Sequence, residues 1–125
     1  MVQEDDIGME LVLLLRPDVL ESAGGQYTCQ KSFRVKGDHF FLCYEADDEI
    51  GNWLPLYSNP GFGRIAVSTQ GRRGHPKWVE GVFYYDPKQI WTAKHSAVVA
   101  AANAAGDLSR AGNRNTIGEE HFPPV

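Results

Sequence analysis

The stretch QYTCQKSFRVKGDHFFLCYE, residues 26–45, decides the predicted fold. Its first part, 26–36, alternates between apolar and polar side chains, which is the pattern of a strand with one buried face. Lys36-Gly37-Asp38 is typical of a tight turn. His39–Glu45 is apolar on both faces, as in a central strand. The stretch therefore predicts an antiparallel hairpin.

The register of this hairpin bears on the two cysteines. With the turn centred at Lys36, Cys29 would lie directly opposite Cys43, and a shift of one residue would remove that pairing. Two cysteines do not make a disulfide scaffold, and free cysteine is among the most buried residue types. We therefore expect small buried thiols rather than a cross-strand disulfide.

Further strands and one helix follow outward from the hairpin. Met9–Leu15 is an apolar run that suits a buried strand, and Pro17 opens one helical turn through Glu21. Pro55 predicts that the strand Trp53–Tyr57 lies at an edge. Two more strands are predicted over 64–69 and 77–85.

The alanine-rich segment Thr92–Ala105 predicts the principal helix. Thr92 or Ser96 can cap its start, alanine is the best helix former, and Gly106 suits the C-terminal cap. The predicted core residues come from the strands and from this helix. They are Leu11, Leu13, Leu15, Phe33, Phe41, Cys43, Ile65, Val67, Val79, Phe83, Val98 and Val99.

Together these elements predict an α+β fold. It consists of a five- or six-stranded, mainly antiparallel sheet or a small open barrel, with one C-terminal helix packed against it. Several short strands followed by a helix resemble small SH3-like barrels, which host ribonuclease toxins, nucleic-acid binders and peptide modules, so the resemblance selects no function. Residues 1–8 are predicted as a flexible lead, 9–106 as a single globular domain and 107–125 as an irregular tail.

Composition excludes several classes of protein. The chain has 125 residues, of which 42% are hydrophobic and 22% charged, so a disordered, collagen-like or coiled-coil protein is disfavoured. The acidic N-terminus lacks the basic start of a signal peptide. The run 11–15 falls far short of the roughly 18 residues that a membrane span needs. The sequence therefore predicts a cytoplasmic protein without membrane contact.

Charge is unevenly distributed along the chain. Residues 1–60 carry four Lys/Arg and eleven Asp/Glu, whereas residues 61–125 carry eight and five. The net charge of −4 disfavours nucleic-acid binding through the overall field of the protein. The segment 64–78 contains no acid, however, and a local basic loop can hold phosphate.

This basic segment is the predicted site. Gly71-Arg72-Arg73-Gly74-His75 offers two guanidinium groups, which grip phosphate bidentately, on a flexible loop. Aromatic rings beside cations hold single-stranded nucleic acid by stacking. We therefore predict a small non-catalytic protein that binds a phosphate-bearing ligand, nucleic acid above all, through the hairpin 64–78. The predicted ligand-binding residues are Arg64, Arg72, Arg73, His75, Lys77, Trp78 and Tyr84.

Two alternatives remain open. The first is a protein–protein interaction module, an inhibitor or accessory subunit, that binds through exposed aromatic residues. The second is a metal-free ribonuclease of the toxin type, with His75 beside Arg72 and Arg73 and with Asp86 or Glu80 as partner. Metal-ligand spacings are missing, so no metal, cofactor or catalytic residue is predicted. The aromatic residues of the first alternative are Trp53, Tyr57, Phe62 and Trp78.

Overall fold

The chain folds around one open sheet, in which all pairings between the described strands are antiparallel. The computed structural model describes residues 1–107 and 109–125. The α-helices are α1 (Pro17–Ser22), α2 (Pro76–Val79) and α3 (His95–Ala105). The strands are β1 (Leu11–Leu15), β2 (Gln26–Tyr27), β3 (His39–Ala46), β4 (Ile50–Tyr57), β5 (Ile65–Ala66), β6 (Arg72–Arg73), β7 (Tyr84–Tyr85), β8 (Trp91–Lys94) and β9 (Asn115–Ile117).

The sheet has free ends rather than a closed circuit. Its order is β2-β8-β4-β3-β1-β9-β6. In addition, β7 pairs with the C-terminal end of β4, and β5 pairs with β7. The predicted α+β class and antiparallel pairing are confirmed. The described residues form nine strands and three α-helices, more than predicted, and the SH3-like barrel is not confirmed.

The central strands of the sheet are covered on both faces. Leu13, Phe41 and Trp53 pack on one face against α1 and α3. Leu42, Leu54 and Trp78 belong to a second cluster on the opposite face, which α2 and the loops cover. The strand β1 contributes to both clusters, which explains its uninterrupted apolar run LVLLL.

Helix α3 begins three residues later than predicted. Residues 91–94 form β8 instead, in which Trp91 and Ala93 are buried and Thr92 and Lys94 are exposed. Pairing with β4 therefore decides this segment, and the alanine-rich helix starts at His95. Its end agrees with the prediction, because Gly106 adopts the left-handed conformation of a C-terminal cap with φ 71°.

The predicted strand over 26–36 is wrong. Only Gln26–Tyr27 pairs, and its partner is β8 rather than β3. Residues Lys31–Phe33 form a 3-10 turn closed by the bond from Phe33 N to Gln30 O, and Phe33 is 71% exposed instead of lying in the core. Alternation alone does not establish a strand, because a strand also needs a partner, and beyond Tyr27 this segment pairs with none of the described strands.

The predicted hairpin between residues 26–36 and 39–45 does not form, so Cys29 does not lie opposite Cys43. Strand β3 is confirmed, but its partners are β1 and β4, and Cys43 pairs with Trp53. Cys29 lies in the loop after β2, and both thiols are free. The proposed pairing of Cys29 with Cys43 across a hairpin therefore does not occur.

Strand β4 is central rather than an edge. It pairs with β3 along one side. Along the other side, residues 50–53 pair with β8 and residues 56–57 pair with β7. The β8 pairs end at Trp53 and the β7 pairs begin at Leu56, so Pro55 has no cross-strand partner on that side. A proline is tolerated at such a gap because it removes no hydrogen bond from the second ladder.

The predicted strands over 64–69 and 77–85 shrink to two residues each. Pro76–Val79 is helical, because Pro76 takes the first helical position and the Nδ1 of His75 accepts from Lys77 N at 3.0 Å. Ile65 is 47% exposed rather than inward, whereas Val67 is buried as predicted.

Both ends of the chain contact the fold. Within the segment predicted as an irregular tail, Asn115–Ile117 forms β9 between β1 and β6, and Ile117 is fully buried. Within the predicted lead, Val2 is 1% exposed. None of the helices in residues 1–107 and 109–125 has the length and apolarity needed to cross a membrane.

Candidate functional site

The seven predicted ligand-binding residues do not form one surface. Arg64 lies in an open groove beside Tyr57. Arg73 lines a different groove together with Glu10 and Glu120. His75 and Lys77 line a third cavity, while Arg72 and Trp78 are buried. The basic segment is therefore divided among separate parts of the molecule.

Arg72 is enclosed instead of lying on a flexible loop. It is 8% exposed, and its guanidinium lies over the ring of Trp78 at 4.5 Å from the centroid. Its donors reach the carbonyl oxygens of Ser68 (2.9 Å), Trp78 (2.9 Å), Gly81 (2.6 Å) and Val67 (3.4 Å). Burial lowers the pKa of Arg72, but an arginine remains protonated. Its donors are therefore used to hold the chain from Val67 to Gly81 together.

Trp78 and Tyr84, both predicted ligand-binding residues, lie in different elements of the structure. Trp78 belongs to α2, is fully buried and donates from Nε1 to Thr116 O at 2.9 Å. Tyr84 belongs to β7 and is half-buried. A base cannot stack on a ring without exposed surface, so Trp78 is excluded as a stacking platform.

Two exposed phenylalanines line a groove that we call the Phe62 groove. Phe33 is 71% exposed, and Phe62 is exposed over its whole side chain at 106%. The groove has a volume of about 550 Å³. Its lining comprises Thr28, Cys29, Gln30, Phe33, Tyr57, Phe62, Arg64, Asp86 and Lys88.

Most N–H donors of Arg64 make no hydrogen bond to the residues that the structure describes. Its guanidinium carbon lies 3.6 Å from the centroid of the Tyr57 ring, and Nη1 donates to Asn59 O at 3.1 Å. Arginine has five N–H donors, and within the described residues this is the one hydrogen bond that Arg64 makes. Stacking on Tyr57 fixes the plane of the guanidinium, so a rigid cation faces the groove.

The other polar groups of the groove are ionic or inert. Lys88 is exposed, and Asp86 accepts from the backbone N of Lys88 at 2.9 Å. Two cations thus face one carboxylate. Burial raises the pKa of the Cys29 thiol, which favours the unreactive protonated form at neutral pH. Burial also raises the pKa of Tyr57, whose hydroxyl accepts from Gln89 Nε2 at 2.7 Å.

Comparison with known proteins identifies no family. No family model, no curated protein and no solved structure matches the chain. Across 1–107 and 109–125, no cluster of three or more His, Cys, Asp or Glu side chains is placed to hold a metal ion.

The aromatic residues singled out for protein binding are mostly inside. Trp53 and Trp78 are fully buried, and Tyr57 is 9% exposed. Only Phe62, among the four, is exposed. Phe33 was missed because its place in the alternating pattern assigned it to the core, and nothing else in the sequence signals its exposure.

Proposed function

We propose that the protein binds single-stranded nucleic acid in the Phe62 groove. The observation that carries this proposal is the exposure of Phe33 and Phe62 in a groove that also contains Arg64 and Lys88. Exposed rings accept bases by stacking, and adjacent cations contact the phosphates. Arg64 is the residue that this proposal shares with the sequence prediction. The other three Lys/Arg residues of the basic segment, Arg72, Arg73 and Lys77, lie outside the groove.

The geometry favours a single strand over a duplex. Stacking on a phenylalanine requires an unpaired base with an open face, and such a contact contributes about 1–3 kcal/mol per base. Neither α2, with four residues, nor any other described helix presents a basic face to a major groove. The proposal therefore concerns unpaired bases and the phosphates beside them. A cytoplasmic location remains a prediction.

The ribonuclease alternative is less favoured by the geometry. It needs His75, Arg72 and Arg73 around one phosphate. Arg72 uses its donors on four backbone carbonyls, and Arg73 and His75 line different cavities. A protein partner that covers Phe33 and Phe62 is the remaining alternative, and the binding experiment separates it from nucleic acid.

Fluorescence anisotropy of labelled probes tests the proposal. The probes are single-stranded RNA, single-stranded DNA and duplex DNA, each titrated with the whole protein at about 50 and about 200 mM salt. The variants Phe62→Ala and Arg64→Ala remove one stacking ring and one cation from the groove. Their matched controls are Val82→Ala, a 59% exposed apolar residue, and Arg73→Ala, an exposed arginine, both outside the groove lining.

The expected salt effect follows from two phosphate contacts. Arg64 and Lys88 give a slope of about −1.4 for single strands, so affinity falls about sevenfold over this fourfold change in salt. Phe62→Ala weakens binding by about five- to 150-fold, since one stacked base is lost. The two control variants bind like the parent. Absence of binding to every probe at the lower salt overturns the proposal, as does parental affinity in both groove variants.

A further inference from the structure

A second cavity, separate from the Phe62 groove, combines an apolar wall with groups of both charges. It has a volume of about 280 Å³ and lies between β1, β3, the end of α3 and the loop before α2. Its polar residues are His75, Lys77, Asp107, Ser109 and Asn115. We propose that this cavity, the Asn115 pocket, binds a small zwitterion, namely an α-amino acid with an apolar side chain.

The amide of Asn115, a buried residue, provides one donor of this pocket. Asn115 is 3% exposed, and its Oδ1 accepts from His75 N at 2.8 Å. That bond identifies the other amide atom, Nδ2, as the donor, and Nδ2 makes no hydrogen bond to any residue in 1–107 or 109–125. Gly74 has φ +122°, and a Cβ there would collide with Asn115 Oδ1. The glycine thus permits the close packing that fixes the amide.

His75 and Lys77 add donors at the same pocket. The Nδ1 of His75 accepts from Lys77 N at 3.0 Å, so the neutral ring carries its proton on Nε2. Lys77 is exposed and brings an ammonium group to the pocket. Three donors, one of them an ammonium group, suit the carboxylate of a ligand.

Asp107 makes a simple anion a poor ligand. Its Oδ2 accepts from Leu14 N at 2.7 Å, and its Oδ1 accepts from the N of Ser109 at 2.9 Å and from the Ser109 hydroxyl. A carboxylate offers about four acceptor positions, so one remains after these three bonds. The negative charge repels an anion and attracts an ammonium group. A ligand with both an ammonium and a carboxylate satisfies both ends of the pocket.

The remaining wall is apolar. Leu14 is the residue of β1 that is not fully enclosed, and it lines the pocket together with Phe40 and Ala105. A mostly apolar lining with a few convergent polar groups is typical of small-molecule sites. The ligand's side chain is therefore aliphatic or aromatic and small enough for the cavity.

Isothermal titration calorimetry on the whole protein tests the pocket with three compounds of similar apolar body. Leucine carries both charges, 4-methylpentanoate lacks the ammonium group, and 3-methylbutylamine lacks the carboxylate. Leucine is expected to bind at least about tenfold more tightly than either, since each loses one charge-assisted contact. Equal binding of leucine and 4-methylpentanoate overturns the zwitterion assignment. Absence of leucine binding at millimolar concentration overturns the site.

Variants place the binding in the pocket. Lys77→Gln removes an exposed ammonium group without disturbing the core, and it weakens leucine binding at least about fivefold. Lys94→Gln, an exposed lysine on β8, is the matched control and binds like the parent. Phe62→Ala is also expected to bind leucine like the parent, because the two sites share no lining residue. The two proposals can therefore fail independently. Parental affinity in Lys77→Gln contradicts the proposed geometry.

Discussion

Replacement of Arg72 by alanine provides the sharpest test of the fold. The guanidinium is enclosed on one side by Trp78 and donates to four backbone carbonyls between Val67 and Gly81. Arg72→Ala removes all four bonds at once. We expect the variant to fold less stably, because the carbonyls lose partners that buried water cannot all replace.

The magnitude follows from which bonds are buried. The bonds to Trp78 O and Val67 O are fully buried, and those to Ser68 O and Gly81 O are partly accessible. Two unsatisfied buried carbonyls cost about 1–3 kcal/mol each. Together they would cost about 2–6 kcal/mol. The variant also avoids the desolvation of a charge, which offsets part of this cost, so we expect a net loss of about 1–4 kcal/mol of unfolding free energy.

Equilibrium unfolding in urea measures this loss. Three fully buried tryptophans, Trp53, Trp78 and Trp91, report the transition by fluorescence. At a slope of about 2 kcal/mol per molar urea, the midpoint falls by about 0.5–2 M. Arg72→Lys keeps the charge but not the planar fork, so its midpoint lies between those of the parent and Arg72→Ala. The neighbouring exposed Arg73→Ala shifts the stability by no more than about 0.5 kcal/mol. An Arg72→Ala midpoint equal to that of Arg73→Ala would refute this account.

Three further predictions concern the core, the thiols and the β3–β4 loop. Phe41→Ala opens a cavity beside Trp91 and lowers the unfolding free energy by about 3–5 kcal/mol in urea titrations, and an unchanged midpoint would contradict the core assignment. Burial raises the pKa of Cys43 to about 12, so in thiol titration of native protein at pH 8 Cys29 reacts before Cys43, and the reverse order would disprove it. Asp47 accepts from the backbone N of Glu49 and of Ile50, each at 2.8 Å, and these bonds lower its pKa. The ionised carboxylate therefore stabilises the fold above its unfolded pKa, and Asp47→Ala destabilises the protein at pH 7 but progressively less as the pH falls below about 4; a pH-independent difference in midpoint would count against this.

The sequence predicted best those elements whose signals are local and unambiguous. β1, α1 and β3 carry a long apolar run, a proline at the first helical position and a two-faced apolar segment, and all three form as expected. The segments 26–36 and 77–85 failed for a different reason. An alternating pattern is compatible with a strand but does not supply the neighbouring strand that it needs. Lys31–Phe33 and Pro76–Val79 have no such partner among the described strands and form helical turns instead.

The candidate site was harder to predict than the fold. In the sequence, Arg64 and Arg72 are two arginines of the same basic segment, and nothing distinguishes them. Their difference arises because Trp78 and four carbonyls enclose one guanidinium, whereas Tyr57 supports the other at the surface. Phe33 and Asn115 gave no signal at all, since exposure of an apolar residue and burial of a polar one both depend on the packed structure.

The position of β9 has a consequence for synthesis on the ribosome. β1 emerges early and soon finds β3, but its other edge pairs with Thr116 and Asn115, about a hundred residues later. At roughly 5–20 residues per second, that edge stays open for about 5–20 s. An apolar strand with an unpaired edge invites association with another chain. A chain whose synthesis stops before Asn115 therefore keeps this edge of β1 unpaired and is prone to aggregate, although most of the residues of its sheet are present.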